Sequence, residues 1–273
     1  MLSIRPHADL DHVPFEVDGL SPDRLSSMSL EEIARLPAWL GNRCLTLGEC
    51  STLEGDPADE AVHLQGDWSR AAGIASGMTS GSLRVGGSIG PRLGAQMTGG
   101  EIVVEGDAGD YLGAEMTGGS LHVHGDAGDQ VGGPLPGTKL GMKGGTILIR
   151  GNAGDEVGGA MRRGLLAVAG SVGNDLAMDM RAGTVVVGGA IGTDAGLGMK
   201  RGTLLLLDPS LTPERFHPMF EEACRYEPSF VEIYRRELAK RAFPLPKPWP
   251  TTLIRLVGDQ LELRKGEIFI GAT

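Results

Sequence analysis

The chain has 273 residues and combines 44 glycines and 41% hydrophobic residues with only 4% aromatic residues. It is too apolar for a disordered protein, and its glycines lack the strict three-residue period of collagen. The formal net charge of −10 argues against non-specific binding to nucleic acid or to a membrane surface.

Cysteine usage and the spread of apolar residues indicate the compartment. Cys44, Cys50 and Cys224 form no Cys-x-x-Cys pair, which argues against a zinc or iron–sulfur site and favours reduced thiols. The sequence shows no signal-peptide core and no run of about 18 apolar residues. We therefore expect a cytoplasmic protein that binds neither nucleic acid nor membrane.

Residues 1–60 are predicted to form an amino-terminal cap with a short helix. In the segment SLEEIARLPAW, Ser29 is followed three residues later by Glu32, which is the pattern of a capping box. A stack of strands needs a cover at each end, because its terminal strands would otherwise expose unpaired backbone groups.

Residues 61–207 contain an internal repeat of 19 residues, with one longer unit that carries an insertion around GGPLPGTKLG. A glycine follows each repeat methionine by three residues, and two aliphatic residues separated by one position come next. The methionines that mark the repeat are Met78, Met97, Met116, Met142, Met161, Met180 and Met199.

The aliphatic period of two is typical of a short strand with alternating faces, and the flanking glycines predict sharp turns. A unit of 19 residues is too short for a helix pair, and the leucine-rich-repeat spacing is absent. We therefore predict an all-β dominated fold: a single-stranded right-handed parallel β-helix of about seven coils, with residues 61–77 as a degenerate first coil. A small amino-terminal segment and an α/β carboxy-terminal segment would cap it.

Residues 208–273 are predicted to form the second cap. The repeat stops at Asp208-Pro209, and helices are predicted near PERFHPMFEEACRY and SFVEIYRRELAKRAF. The segment PLPKPWP is predicted to be an extended linker, and TTLIRLVGDQLELRKGEIFI to form two or three closing strands. The apolar face predicted for the second helix contains Phe230, Ile233, Tyr234 and Leu238.

The outward position between the two aliphatic residues of each repeat becomes apolar in the later coils. An apolar column on the outside of a β-helix implies a cover, which we expect to be the carboxy-terminal helices or a partner protein. The column consists of Leu148, Ala167, Val186 and Leu205.

The glycine-rich turns do not indicate a nucleotide site. GGSIG and GDAGD lack the long strand and the helix of a Rossmann fingerprint, and no Walker motif is present. The GDAGD turns are also unlike calcium-binding nonapeptide repeats, because the nine-residue register is missing. We expect the turn aspartates to bind backbone amides. These are Asp107, Asp110, Asp126, Asp129 and Asp155.

No catalytic residue is predicted. His122 and His124 flank Val123 and are expected to form an outward surface pair, and two histidines do not complete a metal site. No Ser–His–Asp or Cys–His arrangement follows from the sequence.

A basic ridge is the candidate binding surface. The residue after each repeat methionine is threonine in the first three units and lysine or arginine in the last four. Stacked coils would place these cations on one edge, where they suit an acidic partner or a polyanionic ligand, although a solvated edge with local ion pairs gives the same pattern. The ridge comprises Lys143, Arg162, Arg163, Arg181, Lys200 and Arg201.

The repeats resemble those of a known family. MKGGTILIRGNAGDEVGGAMRRG and MTGGEIVVEGDAGDYLGAEMTGG are similar to the GXGXG-repeat domain of three relatives. These are the C subunit of formylmethanofuran dehydrogenase, the C subunit of the bacterial formyltransferase/hydrolase complex, and the C-terminal domain of glutamate synthase. The flanks DRLSSMSLEEIARLPAWLGNRCLTLGE and VGDQLELRKGEIFIG also resemble the two C subunits, which favours a separate polypeptide.

The resemblance implies a non-catalytic scaffold subunit of a formyltransferase/hydrolase complex. Its partners would be the A, B and D subunits, of which A is amidohydrolase-like and metal-dependent and D is the formyltransferase. The complex would transfer a formyl group from tetrahydromethanopterin to methylofuran and hydrolyse it to formate in one-carbon metabolism. This chain alone would bind no cofactor, and the polyglutamate tail of methylofuran is a ligand that the basic ridge would suit.

Two alternatives stay open. The first is the C subunit of a molybdenum or tungsten formylmethanofuran dehydrogenase, which shares both the repeats and the flanks. An Arg-over-Lys bias and a low Ile content are typical of a high-GC bacterium, which favours the bacterial formyltransferase/hydrolase complex of a methylotroph over this alternative. The second alternative, of another class, is a free-standing β-helix binding module. The absence of an aromatic residue that recurs in every coil argues against it.

Overall fold

The computed structural model describes residues 1–7, 14–17, 19–245 and 249–272. A mostly parallel sheet of 13 strands runs through the molecule beside a small sheet of four strands, and helices are few and short. The predicted dominance of β-structure is confirmed. Among the described residues, no helix has both the length and the hydrophobicity needed to cross a membrane.

The amino-terminal segment covers the first coil. Its first strand pairs in parallel with the first strand of the repeat and antiparallel with the strand that ends this segment. The capping box is present, because Ser29 N donates to Glu32 Oε2 (2.8 Å) and Glu32 N donates to Ser29 Oγ (3.3 Å). A second box at Thr46 and Glu49 was not predicted. The elements are β1 (Leu2–Pro6), β2 (Phe15–Val17), α1 (Pro22–Leu25), α2 (Leu30–Ala34), β3 (Pro37–Leu40), β4 (Arg43–Thr46), α3 (Leu47–Cys50) and β5 (Ser51–Gly55).

The repeat units stack in parallel, and each contributes one strand to the large sheet. Each strand residue pairs with its counterpart in the next unit, so that Leu83 faces Ile102 and Ile102 faces Leu121. The parallel register extends back to residues 61–64, because Val62 pairs with Leu83. The strands are β6 (Ala61–Leu64), β7 (Ala71–Ala72, in the small sheet), β8 (Ser82–Val85), β9 (Glu101–Val104), β10 (Ser120–Val123), β11 (Thr146–Ile149), β12 (Leu165–Val168), β13 (Thr184–Val187) and β14 (Arg201–Leu206).

A second ladder on another side of each coil encloses the core. It consists of isolated parallel bridges that run from Trp68 through Ile89 to Ile191, one residue per unit. The inward aliphatic residues of the large-sheet repeat strands and all seven repeat methionines are at most 3% exposed, and the ladder residues are at most 9% exposed. The core is therefore a set of columns of like side chains along the stack.

Methionine and glycine interlock between neighbouring coils. Gly100 has a φ of +84°, and a Cβ at this position would lie 2.6 Å from Cε of Met78 and 2.8 Å from the carbonyl oxygen of Gly81. The same arrangement recurs at Gly119 above Met97. Because a Cβ at these positions would meet a carbonyl oxygen of the preceding coil at a left-handed φ, as well as the methionine, both positions require glycine.

The turn aspartates accept hydrogen bonds from backbone amides, as predicted, and these bonds form two columns along the stack. Asp126 N donates to Asp107 Oδ1 (2.8 Å), and the amide of Asn152 donates to Asp126 Oδ1 (2.6 Å). In the other column, Asp155 N donates to Asp129 Oδ1 (2.8 Å). Each carboxylate thus holds a backbone amide of the next coil. Asn and Ser replace Asp in later coils and keep an oxygen acceptor.

The carboxy-terminal segment continues the large sheet. β17 pairs in parallel with β14 and antiparallel with β16, which in turn pairs with β15, so two closing strands are confirmed. Residues 246–248 of the predicted linker lie outside the described residues. The elements are a 3₁₀ helix (Pro213–Phe216), β15 (Glu221–Tyr226), α4 (Ser229–Lys240), β16 (Leu253–Gly258) and β17 (Lys265–Gly271).

Two details of the predicted carboxy-terminal helices are wrong. Only residues 213–216 of the first are helical, because Pro218 cannot continue a helix and residues 221–226 pair with β16. In the second, α4, Ile233 is 68% exposed, whereas Val231 and Leu238 are buried. Val231 and Leu238 are seven residues apart and share a face, whereas Ile233 is about 200° around the helix from Val231.

The apolar outer column is covered by the chain itself, as expected. Leu148, Ala167, Val186 and Leu205 are at most 3% exposed and form a second core with α4 and the closing strands. Thr184 Oγ1 and Tyr234 Oη lie 2.8 Å apart and add a polar contact at the edge of this core.

We expect Asp129→Ala to lower the free energy of unfolding by about 1 kcal/mol, because the amide of Asp155 loses its acceptor. Asp129→Asn keeps the acceptor and relieves repulsion within the aspartate column, so its stability should equal or exceed that of the wild type. Urea unfolding measures both variants. Equal destabilisation by Ala and Asn would contradict the role assigned to the side-chain oxygen.

We expect Leu238→Ala to lower the free energy of unfolding by about 2–5 kcal/mol, because this side chain is fully buried against the outer column. Ile233→Ala, on the exposed face of α4, serves as the matched control and should change stability by no more than about 0.5 kcal/mol. Thermal and urea unfolding provide the comparison. A similar loss from both variants would mean that α4 does not pack as described.

Candidate functional site

The structure stacks the predicted basic ridge on one edge of the coils. Backbone hydrogen bonds join consecutive rungs: Arg162 N donates to the carbonyl of Met142 (2.8 Å), and Arg181 N donates to that of Met161 (2.8 Å). Since coils are spaced by roughly 4.8 Å, the column places one cation at each step. Arg163 and Arg201 follow directly in sequence, beside Arg162 and Lys200.

The ridge side chains point to solvent and are mostly without ion-pair partners. Lys143, Arg162, Arg163, Arg181 and Arg201 are exposed. Within the described part of the chain, the one ion pair that involves a ridge residue joins Lys200 Nζ to Glu262 Oε2 at 3.6 Å. Local ion pairing therefore does not account for the ridge, and its charge is available to a ligand or partner.

The insertion in the longer repeat lies next to the first rung. Burial raises the pKa of the Glu115 carboxyl, but hydrogen bonds from Gln96 and the Leu135 amide, together with Thr138 and Lys143 nearby, hold that pKa below its usual range. Leu135 N donates to Glu115 Oε1 (3.3 Å) and Gln96 Nε2 to Glu115 Oε2 (3.0 Å). Glu115 thus anchors the inserted loop beside the ridge.

Sequence reasoning missed two further cations of the ridge. In the pairing of β14 with β17, Lys265 lies directly beside Arg201, and Arg264 precedes it. Both side chains are exposed. A signal for this was present, because Lys265-Gly266 followed by Ile268 and Ile270 repeats the pattern of Arg201-Gly202 followed by Leu204 and Leu206.

His122 lies on β10 and His124 directly follows this strand, in a different local environment. Burial lowers the pKa of His122, whose Nε2 is buried without a hydrogen-bond partner. His124 Nδ1 lies 2.8 Å from Glu105 Oε2, and Arg84 binds the other oxygen of this carboxylate. Neither ring is fully exposed, so the pair is less accessible than predicted. Among the described residues, no group of three or more His, Cys, Asp or Glu residues is placed to hold a metal ion.

The glycine-rich turns use their amides within the stack. Gly125 N donates to the carbonyl of Gly106 (3.0 Å), and Gly128 N donates to that of Ala108 (3.0 Å). These amides are therefore not directed at a phosphate, in contrast to those of a nucleotide-binding loop. The cysteines are unpaired, and burial raises the pKa of the Cys50 thiol, with a further contribution from Glu49.

Comparison with known proteins identifies relatives of the chain. No family model matches it. A chain in the crystal structure of the formyltransferase/hydrolase complex FhcABCD from Methylorubrum extorquens, determined with methylofuran, is 36% identical with a TM-score of 0.89. The match covers 99% of this chain and 100% of that chain.

Curated relatives match over shorter segments. The C subunit of molybdenum-containing formylmethanofuran dehydrogenase 1 from Methanothermobacter thermautotrophicus is 39% identical over 90 residues, 33% of this chain and 22% of that protein. The C subunit of the tungsten-containing dehydrogenase 2 from the same organism is 35% identical over 87 residues, 30% of this chain and 32% of that protein. Over a third of its length or less, the chain is thus similar to formylmethanofuran dehydrogenase C subunits, of which the matched segments span a third or less. The chain belongs to the same family as the matching chain of the formyltransferase/hydrolase complex.

Proposed function

We propose that this chain is the scaffold subunit of a formyltransferase/hydrolase complex and has no active site of its own. The observation that carries this proposal is the match along the whole chain to one chain of such a complex. The matches to the dehydrogenase subunits span a third of the chain or less. The carboxylates of the described turns bind backbone amides, which supports a structural role for them.

The complex would transfer a formyl group from tetrahydromethanopterin to methylofuran and then hydrolyse it to formate. In this proposal, the A, B and D subunits supply the chemistry, and the metal resides in the amidohydrolase-like A subunit. This chain positions them and binds no cofactor by itself. The proposed location is the cytoplasm, as part of one-carbon metabolism in a methylotroph.

The proposed scaffold is a right-handed parallel β-helix. Parallel strands joined by a crossover in one sheet are right-handed in about 98% of cases, and the repeat strands pair in parallel throughout. The proposed division is a cap at residues 1–60, the coils at 61–207 and a second cap at 208–273. This division follows the start and end of the 19-residue repeat.

The basic ridge is the proposed binding surface within the complex. Its occupant is either the polyglutamate tail of methylofuran or an acidic surface of a partner protein. Both would meet cations that, apart from Lys200, have no ion-pair partner among the described residues. The ridge residues in this proposal are Lys143, Arg162, Arg163, Arg181, Lys200 and Arg201.

The second candidate is the C subunit of a molybdenum or tungsten formylmethanofuran dehydrogenase. The identity of 39% to one such protein over 90 residues favours it. The shorter match makes it the weaker candidate. A free-standing binding module is weaker still, since the neighbour that matches the whole chain was determined as part of a complex.

Purification of the endogenous protein with its partners tests the proposed function. We expect amidohydrolase-sized and formyltransferase-sized chains to co-purify, with a hydrolytic metal and neither molybdenum nor tungsten. Subunit masses and elemental analysis provide the measurement. Molybdenum or tungsten with iron–sulfur clusters would indicate the dehydrogenase instead, and a lone monodisperse chain would indicate the free-standing module.

Charge reversal tests the ridge. We expect Arg162→Glu combined with Arg181→Glu to weaken assembly of the complex or to raise the apparent KM for the carrier at least tenfold, because attraction becomes repulsion. Arg43→Glu with Arg70→Glu changes the net charge equally at exposed positions outside the ridge and should have little effect. If assembly and KM are both unchanged in the ridge variant, the ridge is not a binding surface.

A further inference from the structure

The basic ridge ends at an exposed apolar turn. We call residues 259–264, between β16 and β17, the terminal turn. Leu261 is 90% exposed, which is the highest value among the large hydrophobic residues of the described chain, and Leu263 is 52% exposed. A single exposed leucine is ordinary, so the support and the surroundings of this turn decide whether it has a role.

The terminal turn is built on a buried carboxylate. Asp259 is 1% exposed, its Oδ2 accepts a hydrogen bond from Gly198 N (3.1 Å), and its Oδ1 accepts one from Leu261 N (2.9 Å). Asp259 N donates to the carbonyl of Met199 (3.3 Å). These bonds fix the turn to the last coil, so the backbone of the two leucines is held in place and their side chains are exposed to solvent. A preorganised apolar group loses little entropy on binding.

Cations adjoin the terminal turn in the sequence and in the sheet. The last rung of the ridge, Lys200 and Arg201, is continued by Arg264 and Lys265, and Arg201 pairs with Lys265 in the register of β14 and β17. Glu262 contacts Lys200 at 3.6 Å and is the acidic residue within the turn's exposed part. This concentration of positive charge occurs on a chain whose formal net charge is −10. The turn is therefore an apolar tip within a basic surface.

The exposed leucines favour one of the two occupants proposed for the basic ridge. A polyglutamate chain would contact the cations and would gain nothing from exposed leucines, whereas a folded protein surface buries both kinds of group. We propose that the terminal turn and the adjoining end of the ridge dock onto a partner protein of the complex, at an acidic surface with an apolar recess for Leu261 and Leu263. This inference rests on the proposed function, because it names the contact through which the scaffold binds its complex.

The test uses the full-length chain with Leu261→Ser and Leu263→Ser together. We expect affinity for the assembled partner subunits, measured by biolayer interferometry, to fall at least tenfold, because central apolar anchors dominate such interfaces. Wild-type affinity should also fall as salt rises, since the surrounding contacts are charged. Thermal unfolding of the free variant should match that of the wild type, because Leu261 is nearly fully exposed.

Ile233→Ser is the matched control. Ile233 is an equally apolar residue, 68% exposed on α4 and outside the terminal turn, so the same substitution should leave affinity unchanged. An equal loss in both variants would mean that the terminal turn has no special role, which would overturn the inference.

The remaining outcomes separate this inference from the proposed function. If the wild-type complex assembles and the double leucine variant binds with unchanged affinity, the docking surface is wrong and the proposed function stands. If poly-L-glutamate binds the free chain through the ridge while the leucine variant still assembles, the surface is a polyanion site instead. If the wild-type chain binds no formyltransferase/hydrolase partner, the proposed function fails and the inference fails with it.

Discussion

The register between neighbouring coils is the constraint on which the other features of this molecule depend. Each coil hydrogen-bonds to the next through residues one repeat apart, both in the strands and in the turns. Met78 fits beneath Gly100 of the following coil only because this spacing is kept. A shift of one residue would turn the inward aliphatic residues to solvent and place larger residues above the methionines. Repeat length is therefore fixed by packing as well as by hydrogen bonding.

The longer repeat shows how the register survives an insertion. The amide of Asn152 bonds Asp126 across 26 residues in the same way that Asp126 bonds Asp107 across 19 residues. The extra residues leave the stack as a loop that Glu115 anchors. Insertions in repeat proteins commonly lie on one face, which is often a binding face. Here the loop lies beside the first rung of the basic ridge.

Because the register is fixed, residues at the same position of successive repeats also line up as a column on the surface. The residue between the two inward aliphatic positions becomes an apolar column that α4 covers, and the residue after each methionine becomes a basic column that stays exposed. The two columns differ in exposure, because α4 and the closing strands cover one and leave the other open to solvent. A stack built this way presents several separate surfaces from one core.

The sequence by itself determined the repeat, the inward aliphatic columns, the hydrogen-bonding role of the turn aspartates and the location of the basic ridge. Each of these depends on a pattern that recurs within a few residues of every methionine, so that local periodicity defines it. Only the tertiary structure decided that residues 221–226 form a strand, that Val231 rather than Ile233 faces the core, and that Arg264 and Lys265 extend the ridge. These outcomes depend on contacts between segments far apart in the chain, such as β14 with β17. The likeness of residues 265–270 to residues 201–206 hints at the last outcome but does not by itself specify that the two segments pair.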